Sequence, residues 1–309
     1  MLLLDRLVTD QASFAAATFA GLLGPILLAV DTVVAPMTIL HVSHAESRRL
    51  LLVAFCALPL LPHPSAQTGK GLMADACYNE LHRREERALW ESQVERRNAG
   101  HVIREQEIET VDGPVHRLLS VDGREPSPSE RKQNDERLQE LRQNPRARLE
   151  LKKNSQADEK LLTDLLRVMP DAFLFEDQGT QESFEKLAFS PNPTYKPKTN
   201  EEKVLHAMSG VILIDRDEKR LARLSATLTQ QVDFGYGIVG HLRKGGTVDV
   251  NRIQLARGIW KTTSFRIDIQ GRFVFFKTIS KQQDEAHSDF KSVAPDTTIP
   301  QALKQIGVK

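Results

Sequence analysis

The stretch from Gly210 to Ser280 shows a strand-like alternation of apolar and polar positions. Two sets of apolar residues alternate with polar ones: Leu224, Ala226 and Leu228, and Phe265, Ile267 and Ile269. This period is typical of strands that have one apolar and one polar face. Gly-rich and Asp-rich breaks separate the segments at roughly 8 to 12 residue spacing, which predicts an antiparallel meander. Its apolar face needs a packing partner.

The centre of the chain predicts two helices that can supply this partner. Ser127 with Pro128 behind it is typical of a helix start, so the first helix is expected from Ser127 to about Asn144. The second is expected to begin at Ser155 and to end at Pro170. An apolar stripe with helical period runs along it and consists of Leu161, Leu162, Leu165, Leu166 and Met169.

Further strands are predicted on both sides of these helices. Residues 101–111 and 114–121 predict a β-ribbon joined by Asp112-Gly113. Residues 172–178 and 183–190 predict a strand pair around Gly179. A proline-rich loop, Pro191 to Pro197, and a short helix from Asn200 to Met208 follow, whereas residues 78–97 fit a helix or a first strand. The pattern therefore predicts the α+β class, with an antiparallel sheet packed on helices.

The N-terminal region predicts export. Arg48 and Arg49 precede the apolar segment from Leu50 to Pro62, and small residues follow up to a cut after Ala66, as in a secretory signal peptide. Pro64 is unusual at its position before the cut, so the cut could shift by a few residues. Translation from Met37 would give a signal of ordinary length.

An alternative for the N-terminus is a membrane anchor. Residues 11–30 carry no charge and are long enough to span a bilayer. The protein is thus expected in the periplasm or envelope, with an inner-membrane anchor as the alternative.

The expected organisation has four parts. Residues 1–66 form the N-terminal apolar region with the signal peptide, 67–77 a short linker, 78–292 one domain, and 293–309 a C-terminal tail. Cys56 lies in the removed segment, which leaves Cys77 as a free thiol or, alternatively, a lipidation site.

Composition excludes several partners. The chain has 309 residues, of which 40% are hydrophobic and 27% charged, with a formal net charge of +1. These values are ordinary for a globular protein. Lys and Arg are interspersed with Glu and form no basic stripe, so no nucleic-acid partner is predicted. The composition leaves the oligomeric state open.

No cofactor, metal site or catalytic residue is predicted. Gly235 to Gly240 read GYGIVG, but a short strand and a turn follow where a dinucleotide site needs a helix. The histidines lack metal-ligand spacing, and G-x-S-x-G is absent. Asp215 and Asp217 are expected to form a turn. We therefore expect that the protein is not an enzyme.

Three glutamates share one face of a predicted strand: Glu105, Glu107 and Glu109. Burying like charges side by side is costly, so this face is expected to be solvated.

Aromatic residues on the predicted strands are the candidate ligand-binding residues. They are Phe173, Phe175, Phe184, Phe189, Trp260, Phe265, Phe273 and Phe275. They either fill the core or line a cavity that accepts a lipid. Phe275 and Phe276 are neighbours in one strand and so point to opposite faces.

Two corners of the meander resemble a known superfamily. Leu213 to Leu224 reads as a strand, an Ile-Asp-Arg-Asp corner and a strand, and Gly258-Ile259-Trp260 opens a later strand. Together with the order of elements over about residues 78–292, they resemble the periplasmic lipoprotein-carrier superfamily, which includes the outer-membrane lipoprotein carrier and the envelope-stress regulator that binds an anti-sigma factor. Leu213 stands where these families carry an aromatic residue, and Lys261-Thr262 where they carry proline.

The resemblance implies a curved antiparallel β half-barrel wrapped around central helices, with an apolar concave face that accepts acyl chains. It brings no catalytic residues. The expected function is that of a non-enzymatic envelope protein that binds a lipid, an acylated protein or another apolar ligand. The alternative is a regulatory or scaffold module with a filled core, which binds another envelope protein through a sheet edge or the Pro191 to Pro197 loop. Either way, no polar cleft with converging histidine and carboxylate side chains is expected.

Overall fold

A computed structural model of the chain describes residues 64–82, 88–98, 100–235, 239–273 and 278–308. The predicted signal segment, the Met37 start and the alternative anchor at residues 11–30 lie outside the described residues. The same holds for Phe275 and Phe276. Among the described helices, none combines the length and the apolar character that a membrane crossing requires.

The described residues form five helices and twelve strands. The helices are α1 (Pro64–His82), α2 (Pro128–Gln143), α3 (Pro145–Ala172), α4 (Asn200–His206) and α5 (Ile299–Gln305). The first six strands are β1 (Leu89–Asn98), β2 (His101–Ile108), β3 (Val115–Val121), β4 (Phe173–Gln181), β5 (Phe184–Pro191) and β6 (Met208–Asp215). The other six are β7 (Leu221–Leu228), β8 (Val232–Phe234), β9 (Gly240–Leu242), β10 (Thr247–Ala256), β11 (Ile259–Phe273) and β12 (Thr278–Val293).

One antiparallel sheet contains all twelve strands. Its main order is β3-β2-β1-β12-β11-β10-β7-β6-β5-β4, while β9 pairs with β8 and β11. The first and last of the described strands, β1 and β12, pair with each other in the interior of this order. The sheet is open, with β3 and β4 at its edges. The predicted α+β class with an antiparallel sheet is confirmed.

Capping residues decide where α2 and α3 begin. The Ser127 side chain accepts a hydrogen bond from the Glu130 amide, and the Glu130 carboxylate accepts one from the Ser127 amide at 2.6 Å, as predicted for the start of α2. The predicted start of α3 at Ser155 is wrong. Asn144 caps the Arg146 amide at 2.9 Å and Pro145 occupies the first turn, so the helix begins there.

Pro170 does not end α3, which continues to Ala172. The apolar stripe of this helix packs as predicted. Leu165, Leu166 and Met169 are buried in the main core, and Leu161 and Leu162 pack partly buried against it. The sheet contributes residues that include Val250, Phe265, Ile267 and Ile269 to the same core. α3 therefore covers the apolar face of the meander.

Two segments expected outside the domain belong to the packed structure. Residues 67–77, expected as a linker, lie within α1, where Met73, Ala76 and Cys77 are buried in the main core. Residues 293–309, expected as a tail, contain α5, whose Ile299 and Leu303 are buried beside Leu138 of α2. Their apolar residues are too few to predict packing from sequence alone, and their partners are distant in the chain.

Of two predicted turns, the one at Asp215 is confirmed and the one at Gly179 is wrong. The Asp215 carboxylate accepts hydrogen bonds from the amides of Asp217 and Glu218, which confirms it as a turn former. The β4–β5 turn lies at Glu182, where φ is 55°, and not at Gly179. Gly179 instead lies inside β4, where the pairing register shifts.

Two glycines in α1 provide a matched test of how this helix docks. A Cβ at Gly71 would meet nothing within 4 Å, whereas one at Gly69 would lie 3.1 Å from Cβ of Phe175. Gly71→Ala is expected to raise the free energy of unfolding by about 1 kcal/mol, since alanine favours helix. Gly69→Ala should gain less or lose stability in the same urea titration. Equal gains from both changes would mean that α1 does not pack on β4.

Candidate functional site

A cavity of about 420 Å³ lies between α3 and the sheet. Its apolar wall consists of Leu162, Leu165, Leu166 and Met169 from α3 and of Ile212, Leu224, Val250 and Phe265 from the sheet. The volume falls in the range of roughly 300 to 1,000 Å³ that small-ligand sites occupy. The predicted stripe of α3 thus forms one side of a ligand-sized space.

Charged residues form the other end of the cavity because of the strand register. Arg96 of β1 lies opposite Glu285 of β12, and Glu285 lies opposite Phe265 of β11. Residues directly opposite one another project from the same face of a sheet. Ser92, four residues before Arg96 on β1 and so on the same face, lies opposite Glu107 of β2, which in turn lies opposite His116 of β3. These side chains therefore share the interior face with Phe265.

The expectation of a solvated glutamate face is wrong. Glu105 and Glu107 are only 1% and 3% exposed, and Glu109 is half-buried. The cost of burying these like charges is offset because the pairing of β1 with β12 brings Arg96 and His287 close to the carboxylates.

Arg96 is the central cation of this cluster. It donates a hydrogen bond to Glu105 from Nη1 and one of 2.8 Å to Glu285 from Nε. Its Nη2 lies 3.9 Å from Oε2 of Glu107. Three buried carboxylates thus surround one guanidinium, an arrangement that is stable only while the charges stay matched.

Glu285 and His287 form a tight pair at the cavity. Nε2 of His287 lies 2.7 Å from Oε1 of Glu285. Burial raises the pKa of Glu285, but Arg96 and His287 outweigh this and hold the pKa below its usual range. Burial lowers the pKa of His287, while the bond to Glu285 and the charges of Glu107 and Glu285 raise it on balance. His287 is therefore held towards its cationic form.

Glu107 differs from the other carboxylates of the cavity lining. Its Oε2 is buried and has no hydrogen-bond partner. His116 Nδ1 lies 3.5 Å from this atom, and His287 Nδ1 lies 4.0 Å from Oε1. Burial raises the pKa of Glu107 to about 7, against the opposing effect of His287 and Arg96. Burial also lowers the pKa of His116 well below its usual range, so this ring stays neutral.

A second ion-pair group ties α1 to the cavity. The two oxygens of Glu80 each accept a hydrogen bond of 2.9 Å from Arg220, and Arg252 donates a third of 2.7 Å. Burial raises the pKa of Glu80, but the two arginines lower it to about 2. Lys261 and Glu109 form a further pair, with Nζ 2.7 Å from both carboxylate oxygens.

Glu218 joins the two corners that carry the family resemblance. Its carboxylate accepts hydrogen bonds of 2.9 Å from the Gly258 amide and from the Trp260 ring nitrogen. Asn79 of α1 donates to its backbone carbonyl. The Ile-Asp-Arg-Asp corner and the Gly-Ile-Trp corner therefore form one unit beside the cavity.

The predicted aromatic residues are divided between the cavity and the packed core. Trp260 and Phe265 line the cavity. Phe173, Phe175 and Phe189 are buried in the core, where the rings of Phe173 and Phe189 meet edge to face at 4.9 Å. Phe184 packs against Leu213 and Trp260. Phe273 ends β11, and Phe275 lies outside the described residues. The aliphatic side chains of α3 were not predicted as lining residues.

Cys77 is buried in α1, and burial, with a smaller effect of Glu80, raises the pKa of its thiol to about 12. Residues before it are part of the core, since Met73 and Ala76 are fully buried. A lipidated cysteine would have to be the first residue of the mature chain, and that cut would remove both. The fold therefore favours the free thiol over the lipidation site.

The glycine motif that ends at Gly240, for which no cofactor site was expected, leads into a strand and not into a helix. Gly240 begins β9, which pairs with β8 and β11. Within the described ranges, no group of three or more His, Cys, Asp and Glu side chains is arranged to hold a metal ion.

The convergence of histidine and carboxylate side chains on a cavity was not expected and is present. Such a group can hold or move a proton near neutral pH. The hydroxyl-bearing residues of the lining are Thr110, Ser155 and Thr262. The Thr110 hydroxyl donates a hydrogen bond to the Gly113 carbonyl. In the described part of the chain, no hydroxyl group of these three residues is hydrogen-bonded to His287.

Comparison with known proteins adds little. No protein-family profile matches the chain, and no curated protein matches it. Among the solved structures that match is a DUF1329 family protein from Desulfovibrio piger. It is 11% identical, the match covers 74% of this chain and 93% of that protein, and the TM-score is 0.28. A score this low carries no argument about fold or function.

The raised pKa of Glu107 should make the stability of the protein depend on pH. The folded protein keeps its proton up to about pH 7, whereas the ordinary pKa is 4.5, so Glu107 increasingly favours unfolding as pH rises through this window. Glu107→Gln removes this effect. In urea titrations at pH 8, the free energy of unfolding of the variant should exceed that of wild type by about 1–3 kcal/mol. At pH 5 this gain should be smaller. A gain that is the same at both pH values would contradict the burial of the Glu107 carboxylate.

Proposed function

We propose that this chain is a non-enzymatic exported protein that binds an apolar or amphiphilic ligand, such as a lipid or an acyl chain, in the cavity beneath α3. The cavity itself carries the proposal. It combines an apolar wall, formed by Leu162, Leu165 and Phe265 among others, with a charged end. A space of this volume, lined mainly by apolar side chains with a few polar groups, is typical of small-ligand sites.

The fold supports the same function. In the proposed arrangement the antiparallel sheet is a curved half-barrel and α3 lies against its apolar concave face, as the resemblance to lipoprotein carriers implies. The scaffold alternative requires a filled core, and the cavity disfavours it. The open edges β3 and β4 remain available to a partner, whereas Tyr195 of the proline-rich loop is tied to Glu202 of α4 by a hydrogen bond of 2.7 Å.

Export is part of the proposal. The predicted signal peptide would deliver the protein to the periplasm or envelope, and a cut after Ala66 would leave most of α1 in the mature chain. Mass spectrometry of the protein purified from its own host should show a mature chain that still contains Met73. A chain that begins after Met73 would contradict the role of α1 in the fold.

Ligand uptake tests the proposal. Delipidated protein should bind a fluorescent fatty acid or lipopeptide in a saturable manner. Leu162→Trp replaces an aliphatic side chain in the cavity with a larger aromatic one. It should weaken binding at least about tenfold, because the indole ring would occupy the space of the ligand's alkyl chain. Leu149→Trp is the matched control, since Leu149 lies on the same helix, is 49% exposed and does not line the cavity. Failure of the wild type to bind any probe, or equal weakening by both variants, would overturn the proposal.

A second candidate function is acid–base chemistry on a bound ligand. The 2.7 Å bond between Glu285 and His287 favours it, since a carboxylate that orients a histidine is a common feature of hydrolytic sites. Turnover of chromogenic long-chain esters, abolished by His287→Asn, would support it. Binding without turnover would leave the non-enzymatic function.

A further inference from the structure

The charged side chains at the cavity differ in whether they have hydrogen-bond partners. Lys261 is bound by Glu109, and His287 by Glu285. Arg220 and Arg252 are both bound by Glu80. Glu107 is the exception among these side chains, because its buried Oε2 accepts no hydrogen bond. The cations at the cavity are thus hydrogen-bonded to other carboxylates, while one oxygen of Glu107 accepts no hydrogen bond.

The surroundings of Glu107 can be stated strand by strand. Arg96 on β1 and His116 on β3 approach its Oε2 at 3.9 and 3.5 Å. On β12, His287 approaches Oε1 at 4.0 Å, and Glu285 neutralises part of its charge. From α2, Arg137 is directed at the backbone carbonyl of His116 and not at a carboxylate.

The charge balance of this cluster is negative when Glu107 is ionised. Two cations, Arg96 and His287, face three carboxylates, Glu105, Glu107 and Glu285, while the nearby Glu109 forms a neutral pair with Lys261. An anionic ligand group placed here would meet uncompensated negative charge in a largely dehydrated space, whereas a cationic group would restore the balance.

We propose that the polar end of the cavity is a headgroup site for an amphiphile that carries an ammonium group, with Glu107 as its counter-ion. This inference rests on the proposed ligand-binding function and names the class of ligand. An ammonium group has three donors and no acceptor. It would give Glu107 the hydrogen bond that the protein does not supply, while the alkyl chain lies along Leu162, Leu165 and Phe265.

Arg223 is an alternative binding position for a ligand with an anionic head. Arg223 lines the cavity, is exposed and donates a hydrogen bond of 3.3 Å from Nε to the hydroxyl of Ser225. A fatty acid could place its carboxylate there, at the rim, with its chain directed inwards. The two positions predict opposite preferences for ligand charge, so a single experiment separates them.

The experiment compares dodecylamine, dodecanol and dodecanoate as competitors of a neutral fluorescent probe at pH 8. The three ligands share one chain length and differ in head charge. Dodecylamine should bind about tenfold or more tightly than dodecanol, and dodecanoate more weakly than dodecanol. The affinity of dodecylamine should fall from pH 8 to pH 6 because Glu107 takes up a proton, whereas the alkylamine itself stays charged across this range.

Two variants assign the effect to a residue. Glu107→Gln should reduce dodecylamine affinity to that of dodecanol and leave dodecanol affinity unchanged. Arg223→Gln should leave dodecylamine affinity unchanged. Dodecanoate binding best, with loss in Arg223→Gln, would overturn the inference in favour of an anionic head at the rim.

Equal affinity for the three ligands would also overturn the inference while the proposed ligand-binding function stands. Binding of none of them, and of no neutral probe, would overturn the proposed function itself. The failure of one claim is thus distinguishable from that of the other.

Discussion

Replacement of Glu80 by glutamine is expected to lower the free energy of unfolding by about 3–5 kcal/mol at pH 7. The carboxylate of Glu80 holds Arg220 and Arg252, whose side chains are only 7% and 15% exposed. Glutamine keeps the shape but leaves two buried guanidinium groups without a negative partner. Because Glu80 belongs to α1, Arg220 directly precedes β7 and Arg252 belongs to β10, the change should also loosen the helix from the sheet. Urea titration measures the loss.

The pH dependence of this loss has a defined sign. The pKa of Glu80 is about 2 in the folded protein against an ordinary 4.5, so its contribution is fully present above the ordinary value and is lost as pH falls towards 2. The difference between wild type and variant should narrow in that window. Asp171→Asn is the control, because it breaks the exposed pair between Lys70 of α1 and Asp171 of α3 and should cost less than about 1 kcal/mol. Equal losses from both changes would contradict the buried ion-pair group.

Replacement of Arg96 by methionine is expected to have a comparable effect, about 3–5 kcal/mol at pH 8. Methionine preserves much of the apolar stem and removes the guanidinium group that bonds both Glu105 and Glu285. Without this cation, burial dominates and the pKa of Glu285 should rise. The variant should therefore recover stability relative to wild type as pH falls and its carboxylates become neutral.

The neighbouring arginine supplies the control. Arg97 is 60% exposed and pairs with Glu95 at the surface, so Arg97→Met should cost less than about 1 kcal/mol with little pH dependence. A loss in Arg96→Met that is no larger, or one that grows on acidification, would contradict the buried position of Glu105 and Glu285.

The sequence predicted the elements whose signals are local. Alternation in Leu224–Leu228 and in Phe265–Ile269 is enough to assign strands and their buried faces, and the Ser127 cap is enough to place α2. The start of α3 was missed because Asn144-Pro145 is an equally good start signal and nothing between Pro145 and Ser155 breaks a helix. Local signals thus locate elements better than they choose between competing boundaries.

The candidate site was not predictable in the same way. The apolar stripe of α3 was identified, and it forms the cavity wall. The charged end depends on the pairing of β1 with β12, which brings Arg96 and Glu285 together across 189 positions of the chain. Alternating glutamates on a strand are usually solvated, and only the sheet order shows that cations face Glu105 and Glu107. The histidines lacked a recognisable spacing because the cluster draws them from two strands.

The central claim, that the cavity beneath α3 holds an alkyl chain, can be tested by locating the chain directly. Crystals of the delipidated protein grown with a terminally brominated dodecylamine would place the bromine by its anomalous scattering. If the cavity holds the alkyl chain, we expect a bromine peak between Leu165 of α3 and Phe265 of the sheet, with the opposite end of the ligand towards Glu107. Bromine peaks confined to the protein surface, with the cavity filled by side chains, would contradict it.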